Sequence, residues 1–415
     1  MLAKVLWEKP ECFFGGAQLV LVGDFFQMHS PSPSELKALL CRCPCGGTVT
    51  KPDSLCTSLS PTNYTCDRCG QARDTTIRHL FEGPSWTEAK FRAFILRRKS
   101  RNLDRAWEDL VDKCRLGKPD AKTLRLLENL QEPHLPVRNL KPSQIRVSGS
   151  TASAKNSAEL QTLPGEPTIF AGCDASRLEI YERSNGQYER TSSKPIKSIP
   201  RFDVKANRIL GLKPGSQVML TAMIDAGLDL IPGSRGVVDG FIYLSKTDFL
   251  AAAADDEKVR LYSKYFDLSC NLVTKRIPIP MVTFYALLQR KEIPESVPVF
   301  PRIFRQKVPF SDGHHKDNED VFTSIERWQI PLRLAWALPM QELLGITIDY
   351  AQIDVNDMSE PGYMYTALSC VRRPEGLQLL AADHNHLAQA PKCDPAVIKF
   401  HEGLASQAQG VNGAV

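Results

Sequence analysis

The chain has 415 residues, 42% of them hydrophobic and 24% charged, with a formal net charge of +5. This composition excludes a disordered or fibrous chain and provides for two or three cores rather than one. No run of about 18 uninterrupted apolar residues occurs, and "MLAKVLWEKPECFFGG" lacks the charged, apolar and small-residue order of a secretory signal, so the sequence predicts neither membrane spanning nor export; the modest positive charge permits a polyanionic partner without requiring one.

In chain order, residues 17–22, "AQLVLV", read as a continuous apolar strand that runs into "GDFFQM". Residues 31–79 are rich in Ser, Pro and Cys and carry little helical period. Six of the twelve cysteines lie between Cys41 and Cys69, in the paired forms "CPCGG" and "CDRCG". Glycine beside a thiol pair lets the backbone turn tightly, so that both sulfurs reach one tetrahedral ion. Cys43, Cys45, Cys66 and Cys69 are the expected ligands of a structural zinc. Cys41 and Cys56 are alternatives, because the first pair is spaced C-x-C. Disulfides, which a reducing compartment disfavours, and chance spacing are the competing readings. A closed four-sulfur shell leaves no open position for chemistry, so such a zinc would staple a long loop.

From Ser85 onward apolar residues recur at helical spacing: Phe91, Phe94 and Ile95, then Ala106, Trp107, Leu110, Val111 and Cys114, with Gly117 and Pro119 closing the second helix. Between them sits a basic knot of Arg97, Arg98, Lys99, Arg101 and Arg105, readable as a solvated positive face or as a phosphate-binding surface. "SQIRVSGSTASAKNSAEL" predicts strand, small-residue loop and helix, as in an α/β layer. After Phe202 the chain turns to short β-type runs with turn glycines at Gly215, Gly233 and Gly236, which fits a small barrel-like subdomain. Residues 306–320 are polar and predict a mobile loop, with His314 and His315 in solvent rather than on a metal. "IPLRLAWALPMQELLGITIDYAQIDV" predicts two apolar strands flanking a short helix, and "GYMYTALSCVRRPEGLQLLAAD", a helix followed by a strand, is expected to be the last ordered unit. The tail from Leu404 has the composition of a frayed end.

Taken in order, these segments resemble the superfamily-one DNA helicases of the PIF (petite integration frequency) type, relatives of RecD-like helicases. "GGAQLVLVGDFFQM" is similar to that family's third motif and "FEGPSWTEAKF" to the aromatic helix after it. "RNLDRAWEDLVDKCRLG" is similar to the fourth-motif region. "LKPGSQVMLTAMID" and "GLDLIPGSRGVVDGF" resemble strands of its inserted β subdomain, and "QIPLRLAWALPM" and "GYMYTALSCVRRPEGL" stand where the fifth and sixth motifs belong. The resemblance implies an α/β fold, a RecA-like (P-loop NTPase-type) motor domain with an inserted SH3-like β-barrel and a cysteine-rich zinc-binding insert. It divides the chain into a remnant of the first motor domain (1–30), the zinc-knuckle insert (31–79), a helical region with the start of the second motor domain (80–205), the β subdomain (206–325), the rest of the second motor domain (326–400) and a flexible tail (401–415).

The same resemblance implies roles for individual residues. Gln27 would sense the γ-phosphate and couple it to DNA. Asp24 stands before it at a strand end, where a doubly wound sheet places ligands, and Gly23 completes that nucleotide turn; taken alone, Asp24 and Gln27 also read as an ordinary turn after a strand. Arg101 takes the place of the fourth-motif arginine that reaches a phosphate across a domain cleft, although Asn102 follows where the family has glutamine. Arg97, Arg98, Lys99 and Thr347 are the expected nucleic-acid contacts. ATP and magnesium are the implied cofactors and single-stranded DNA the implied partner. The implied location is the nucleus or the mitochondrion, and the implied activity is 5′ to 3′ unwinding in replication, repair, recombination or telomere maintenance.

Departures from the family pattern are equally specific. No G-x-x-x-x-G-K-[ST] occurs among the 415 residues, so the expectation is the C-terminal portion of a helicase, its Walker motifs supplied by a missing N-terminal region or a separate chain. The family's fifth motif, I-H-K-S-Q-G, is replaced by Met340, Gln341, Glu342, Leu343, Leu344 and Gly345, which puts an acid where a base would face a polyanion. In the sixth motif A-L-S-R becomes Ala367, Leu368, Ser369 and Cys370. The lost arginine is the finger that stabilises the transferring phosphoryl group, worth about 10³ to 10⁵ in rate in such enzymes. Arg372 and Arg373 lie close by, but further along a helix they would point elsewhere. Three readings follow: a fragment of an active helicase, a non-catalytic relative that binds single strands, and a zinc-stapled interaction module. Loss of fifth- and sixth-motif residues favours the second over simple truncation.

Overall fold

The computed structural model describes residues 18–28, 49–50, 64–66, 72–73, 79–95, 104–131, 140–184, 187–195, 206–252, 256–270, 273–285, 296–309, 319–380 and 383–412. The elements begin with β1 (Val49–Thr50), β2 (Tyr64–Cys66), β3 (Ala72–Arg73), α1 (Pro84–Ala89), α2 (Arg105–Arg115) and α3 (Ala121–Asn129). They continue with β4 (Ser143–Arg146), α4 (Gly149–Thr162), β5 (Thr168–Ala171), β6 (Cys173–Ser184), β7 (Gln187–Pro195), β8 (Ile209–Leu212), β9 (Gln217–Leu220), β10 (Arg235–Leu244), α5 (Lys246–Ala251) and α6 (Asp256–Ser269). The last are β11 (Ile277–Tyr285), β12 (Val297–Pro298), β13 (Arg302–Pro309), β14 (Glu319–Gln329), β15 (Leu332–Leu334), β16 (Ala337–Pro339), β17 (Ala351–Asp354), α7 (Tyr363–Ser369), β18 (Leu377–Leu380), α8 (His384–Gln389) and α9 (Pro395–Asn412).

The chain forms two compact units, one of residues 1–129, 355–369 and 381–415, the other of 130–354 and 370–380. In the first, α2 forms because Asp104 caps it, its carboxylate accepting from the N–H groups of Ala106 and Trp107. Its buried face is Trp107, Leu110, Val111 and Cys114, at the spacing read from the sequence, and packs on α7, whereas Ala106 stays exposed. The preceding helix departs from expectation. α1 stops at Ala89 because Lys90 turns left-handed (φ 47°), so Phe91, Phe94 and Ile95 are not helical, and Phe94 is 73% exposed. Residues 18–22 also depart: they form no strand, and Leu19, Val20, Leu21 and Val22 are 43%, 72%, 45% and 89% exposed. An apolar run becomes a central strand only where neighbours take its backbone groups, and none does so among the described residues. α8 and α9 follow β18, so the helix-strand pair is not the last ordered unit, and the Ala- and Gln-rich end continues as helix to Asn412 instead of fraying.

The second unit contains a parallel four-stranded sheet in the order β16-β4-β17-β18, with α4 packed against β4 and β16. Ile145, Leu338, Ile353 and Leu379 are among its buried residues, as an α/β layer requires. The strand-loop-helix expectation for 143–160 holds here, as does the pairing of two apolar strands with a short 3₁₀ turn at Met340–Leu343. Asn156 on α4 completes the edge, its side chain donating to the Ala337 carbonyl and accepting from the Ala337 N–H, both at 2.8 Å.

Among the described residues the β-rich part of this unit forms no closed barrel. One sheet has the open order β12-β11-β10-β9-β15, with no pairing between its outer strands among the described residues, and β8 pairs with β5 instead of joining it. Closure requires both edges to pair, and the outer strands β12 and β15 span 2 and 3 residues. Gly215 and Gly233 take left-handed turns (φ 87° and 101°), but Gly236 lies inside β10, where a Cβ would come 2.6 Å from the Thr283 carbonyl oxygen. A second antiparallel sheet, β13-β14-β6-β7, takes in part of the expected loop: residues 306–309 and 319–320 are strand, held by cross-strand pairs such as Arg305 to Glu326 (2.9 Å). His314 and His315 lie outside the described residues.

Replacing Asn156 by alanine leaves both buried Ala337 groups without partners. Asn156→Ala is expected to lower stability by about 2 to 4 kcal/mol, measured by urea denaturation of the purified chain.

Candidate functional site

The turn that follows the exposed apolar run is built inside the first unit. Gln27 N–H donates to the Asp24 carbonyl at 3.2 Å, and Phe26 N–H donates to Asp24 Oδ1 at 3.1 Å. Asp24 therefore acts on its own turn as an Asx residue commonly does. Arg115, the last residue of α2, donates from Nη2 to the same Oδ1 at 3.2 Å, and Tyr365 of α7 donates its hydroxyl to Oδ2 at 2.5 Å. The Arg115 guanidinium also lies over the Phe26 ring, 3.7 Å from its centroid. Burial, and after it the Asp24 charge, holds the Tyr365 hydroxyl well above its ordinary range, so it stays a donor.

Helix α7 carries the other side of the turn. Met28 N–H donates to Thr366 Oγ1 at 2.6 Å, while that hydroxyl donates to the Gly362 carbonyl at 2.7 Å. Gly362 is left-handed (φ +81°), and a Cβ on it would lie 2.8 Å from the Phe26 carbonyl oxygen, so only glycine allows this approach. The paired phenylalanines point into different surroundings. Phe25 meets Phe81, Trp86 and Phe400 edge-on at 5.3, 5.8 and 5.3 Å, and Phe26 meets His401 at 5.2 Å. Phe81 stacks between His79 (4.8 Å) and Phe400 (4.1 Å), and His79 Nε2 reaches Asp394 at 3.2 Å.

Of the residues expected on nucleotide, Gly23 is exposed, with open space around it, and Asp24 and Gln27 are half-buried. Arg101 and the basic residues Arg97, Arg98 and Lys99 lie outside the described residues, as do Cys41, Cys43, Cys45, Cys56 and Cys69. Among the described residues no group of three or more His, Cys, Asp or Glu could hold a metal ion.

Fifth- and sixth-motif positions lie largely in the second unit. Met340 and Leu343 are fully buried, Gln341 donates to the Val147 carbonyl at 3.0 Å, and Glu342 forms an ion pair with Arg333. Burial lowers Arg333 to about 10. Thr347 is half-buried in the loop before β17. Cys370 is 3% exposed and its thiol lies 3.4 Å from the Leu343 carbonyl, which makes it a core group rather than a surface one. Helix α7 ends at Ser369, so Arg372 is not helical as expected; its Nε holds Asp349 at 2.8 Å.

Sequence reasoning missed Arg115, Gly362, Tyr365, Thr366 and His401. The only available signal was the aromatic and glycine content of "GYMYT" and the arginine before Gly117.

The parallel sheet, with a β-rich insertion between β4 and β16, defines a mixed α/β, helicase-like fold. No family model matches the chain. It is 25% identical over 410 residues to the ATP-dependent DNA helicase PIF1 of Emericella nidulans and 23% identical over 391 residues to that of Homo sapiens. Those alignments take in 94% of this chain and 45% and 44% of the relatives, so the chain spans about half the length of the curated relatives it matches. An uncharacterized protein, 030L of Invertebrate iridescent virus 6, is 23% identical, with 99% of this chain and 75% of that protein covered. The crystal structure of Pif1 helicase from Candida albicans superposes with a TM-score of 0.57 at 22% identity, over 94% of this chain and 70% of that one. In sequence and fold the chain is similar to the PIF1-type superfamily-one helicases.

The His401 imidazole is held below its ordinary 6.5 by burial and then by the Arg115 charge. With the folded value below the unfolded one, its contribution is present at neutral pH and is lost as pH falls from about 6.5 through the folded value. The urea midpoint of the first unit is expected to decline between about pH 7 and pH 5, and His401→Phe, which keeps a ring against Phe26, is expected to flatten that decline.

Proposed function

We propose that the chain is the strand-binding second-motor part of a PIF1-type DNA helicase and that by itself it does not hydrolyse ATP. The observation that carries this reading is Cys370. Where the family resemblance calls for a finger arginine, the chain has a buried thiol against the Leu343 carbonyl, and the nearest arginine, Arg372, is engaged by Asp349. A thiol cannot neutralise charge on a transferring phosphoryl group. The sequence also contains no phosphate-cradling lysine loop.

In this reading the complete assembly uses ATP and magnesium to unwind DNA from 5′ to 3′ in replication, repair, recombination or telomere maintenance, in the nucleus or mitochondrion. A P-loop-bearing part, upstream or on another chain, supplies the Walker residues. Asp24 and Gln27 form its γ-phosphate sensor turn, and Arg101 reaches a phosphate. Arg97, Arg98, Lys99 and Thr347 contact the single strand. Crystallised Bacteroides Pif1 bound to single-stranded DNA has a similar fold, with a TM-score of 0.50 at 18% identity. The domain limits follow the sequence reading, with 1–30 the remnant of the first motor domain, 206–325 the inserted subdomain and 326–400 the return to the second.

The insert at 31–79 is read as a zinc staple held by Cys43, Cys45, Cys66 and Cys69. Pairing of Val49 with Cys66 supports it, because it brings the chain a few residues after Cys45 beside Cys66. Freshly purified, reduced protein is expected to contain about one zinc per chain, lost in Cys66→Ser/Cys69→Ser; less than half an equivalent refutes the staple.

Fluorescence anisotropy of a labelled single strand at two salt concentrations tests the main reading. Binding is expected to weaken with salt and to ignore ATP and magnesium, with no phosphate release. Changing Arg97, Arg98 and Arg101 together to alanine is expected to flatten the salt dependence by about two to three units of slope. DNA-stimulated ATP hydrolysis by the purified chain, or absence of binding at low salt, would overturn the proposal.

A further inference from the structure

We infer that Arg115 and Tyr365 are positioning residues for the 24–28 turn, which they hold in one conformation through the Asp24 carboxylate, without any nucleotide. The inference rests on reading Asp24 to Gln27 as the sensor turn. Every acceptor direction that the carboxylate uses in the structure has a donor from a different stretch: Oδ1 takes the Phe26 N–H and Arg115 Nη2, and Oδ2 takes the Tyr365 hydroxyl. Charge-assisted hydrogen bonds of this kind are about twice as strong as neutral ones, and each fixes a direction as well as a distance.

Arg115 does two things that a lysine cannot do together. Its flat guanidinium lies on the Phe26 ring at 3.7 Å while one edge holds Asp24, so it fixes the side chains on both sides of Phe25. Gly117, left-handed at φ +65° with a built Cβ 3.0 Å from the Cys393 N, packs the end of α2 against the chain entering α9, and His401 of α9 meets the Phe26 ring in a T-shaped contact. Tyr365 reaches Asp24 from the same α7 turn whose Thr366 takes Met28 N–H. Gln27 therefore sits between two backbone anchors, its own N–H on the Asp24 carbonyl and the next N–H on Thr366.

Amide hydrogen exchange of residues 26–28 in the full chain, with the β6 and β14 strands of the second unit as internal reference, tests this. Arg115→Ala and Tyr365→Phe are each expected to speed exchange of the Phe26, Gln27 and Met28 amides on the order of ten-fold while the reference strands stay unchanged. Arg115→Lys is expected to recover part of the protection, since an ammonium can hold the carboxylate without stacking on the ring. Unchanged exchange at 26–28 in Arg115→Ala overturns the inference, as does Arg115→Lys performing no better than alanine. Uniform acceleration in both units means a general structural role and overturns it too. None of these outcomes depends on DNA binding or ATP hydrolysis, so failure of the proposed function reads out separately.

Discussion

A half-buried carboxylate must be neutralised, and in the first unit Asp24 meets that requirement by drawing three distant stretches of chain together. Its partners come from α2, from α7 and from its own turn. They differ in chemistry: a fixed positive charge, a hydroxyl kept protonated by burial, and a backbone amide. Because an uncompensated carboxylate in such a place is costly, the arrangement of the helices around the turn is tied to one atom group. The aromatic packing follows from it. Once the turn is fixed, Phe25 and Phe26 must diverge, one into the Phe81, Trp86 and Phe400 cluster and the other between Arg115 and His401.

The second unit solves a related problem with amides. Its sheets end against one another, so strand-edge groups are buried where no further strand can take them. Gln217 donates to the Lys141 and Ala335 carbonyls and accepts from Lys141 N–H; Gln329 donates to the Phe170 and Asn207 carbonyls while accepting from Ile330 N–H; Asn156 does both for Ala337. A primary amide suits this role because it presents donor and acceptor side by side without charge. Arg235, 4% exposed and lowered to about 10 by burial, is the charged exception, and it spans from β10 to the Ser143 hydroxyl at the start of β4. Polar matching, as well as apolar burial, specifies how the β-rich insertion is joined to the parallel sheet.

Local signals were the legible part of the sequence. The α2 face at Trp107, Leu110, Val111 and Cys114, the β4 to α4 passage and the apolar strands around 340 all carry their own period, and the structure contains each. What escaped depends on partners far along the chain. The apolar run at 19–22 has the composition of a central strand, but pairing, not composition, makes a strand. Phe91 to Ile95 has helical spacing, yet Lys90 breaks the helix before it. The sheet β13-β14-β6-β7 was invisible because its strands are charged and their period is carried by cross-strand ion pairs, such as Arg327 holding both oxygens of Asp174 at 2.7 and 2.8 Å. The candidate site divides in the same way: Asp24 and Gln27 stand out in their local pattern, whereas Arg115 and Tyr365, which hold Asp24 in the structure, are 91 and 341 residues from it.

Positions 340–343 and 370 are built into the fold of the second unit. Polar residues that handle a phosphate or a DNA strand must be kept near the surface with unsatisfied hydrogen-bonding capacity, which costs stability when nothing is bound. Here Met340 and Leu343 are buried in the fold, Cys370 caps the Leu343 carbonyl with a weak donor, and Glu342 neutralises an arginine, Arg333, that burial would otherwise penalise. Each of these side chains is satisfied within the fold. An arginine at position 370 would bury a guanidinium beside a single carbonyl, a site that suits a small thiol and not a charge. The 24–28 turn is satisfied by a different route: the Asp24 carboxylate spends its hydrogen-bonding capacity on its own turn and on α2 and α7.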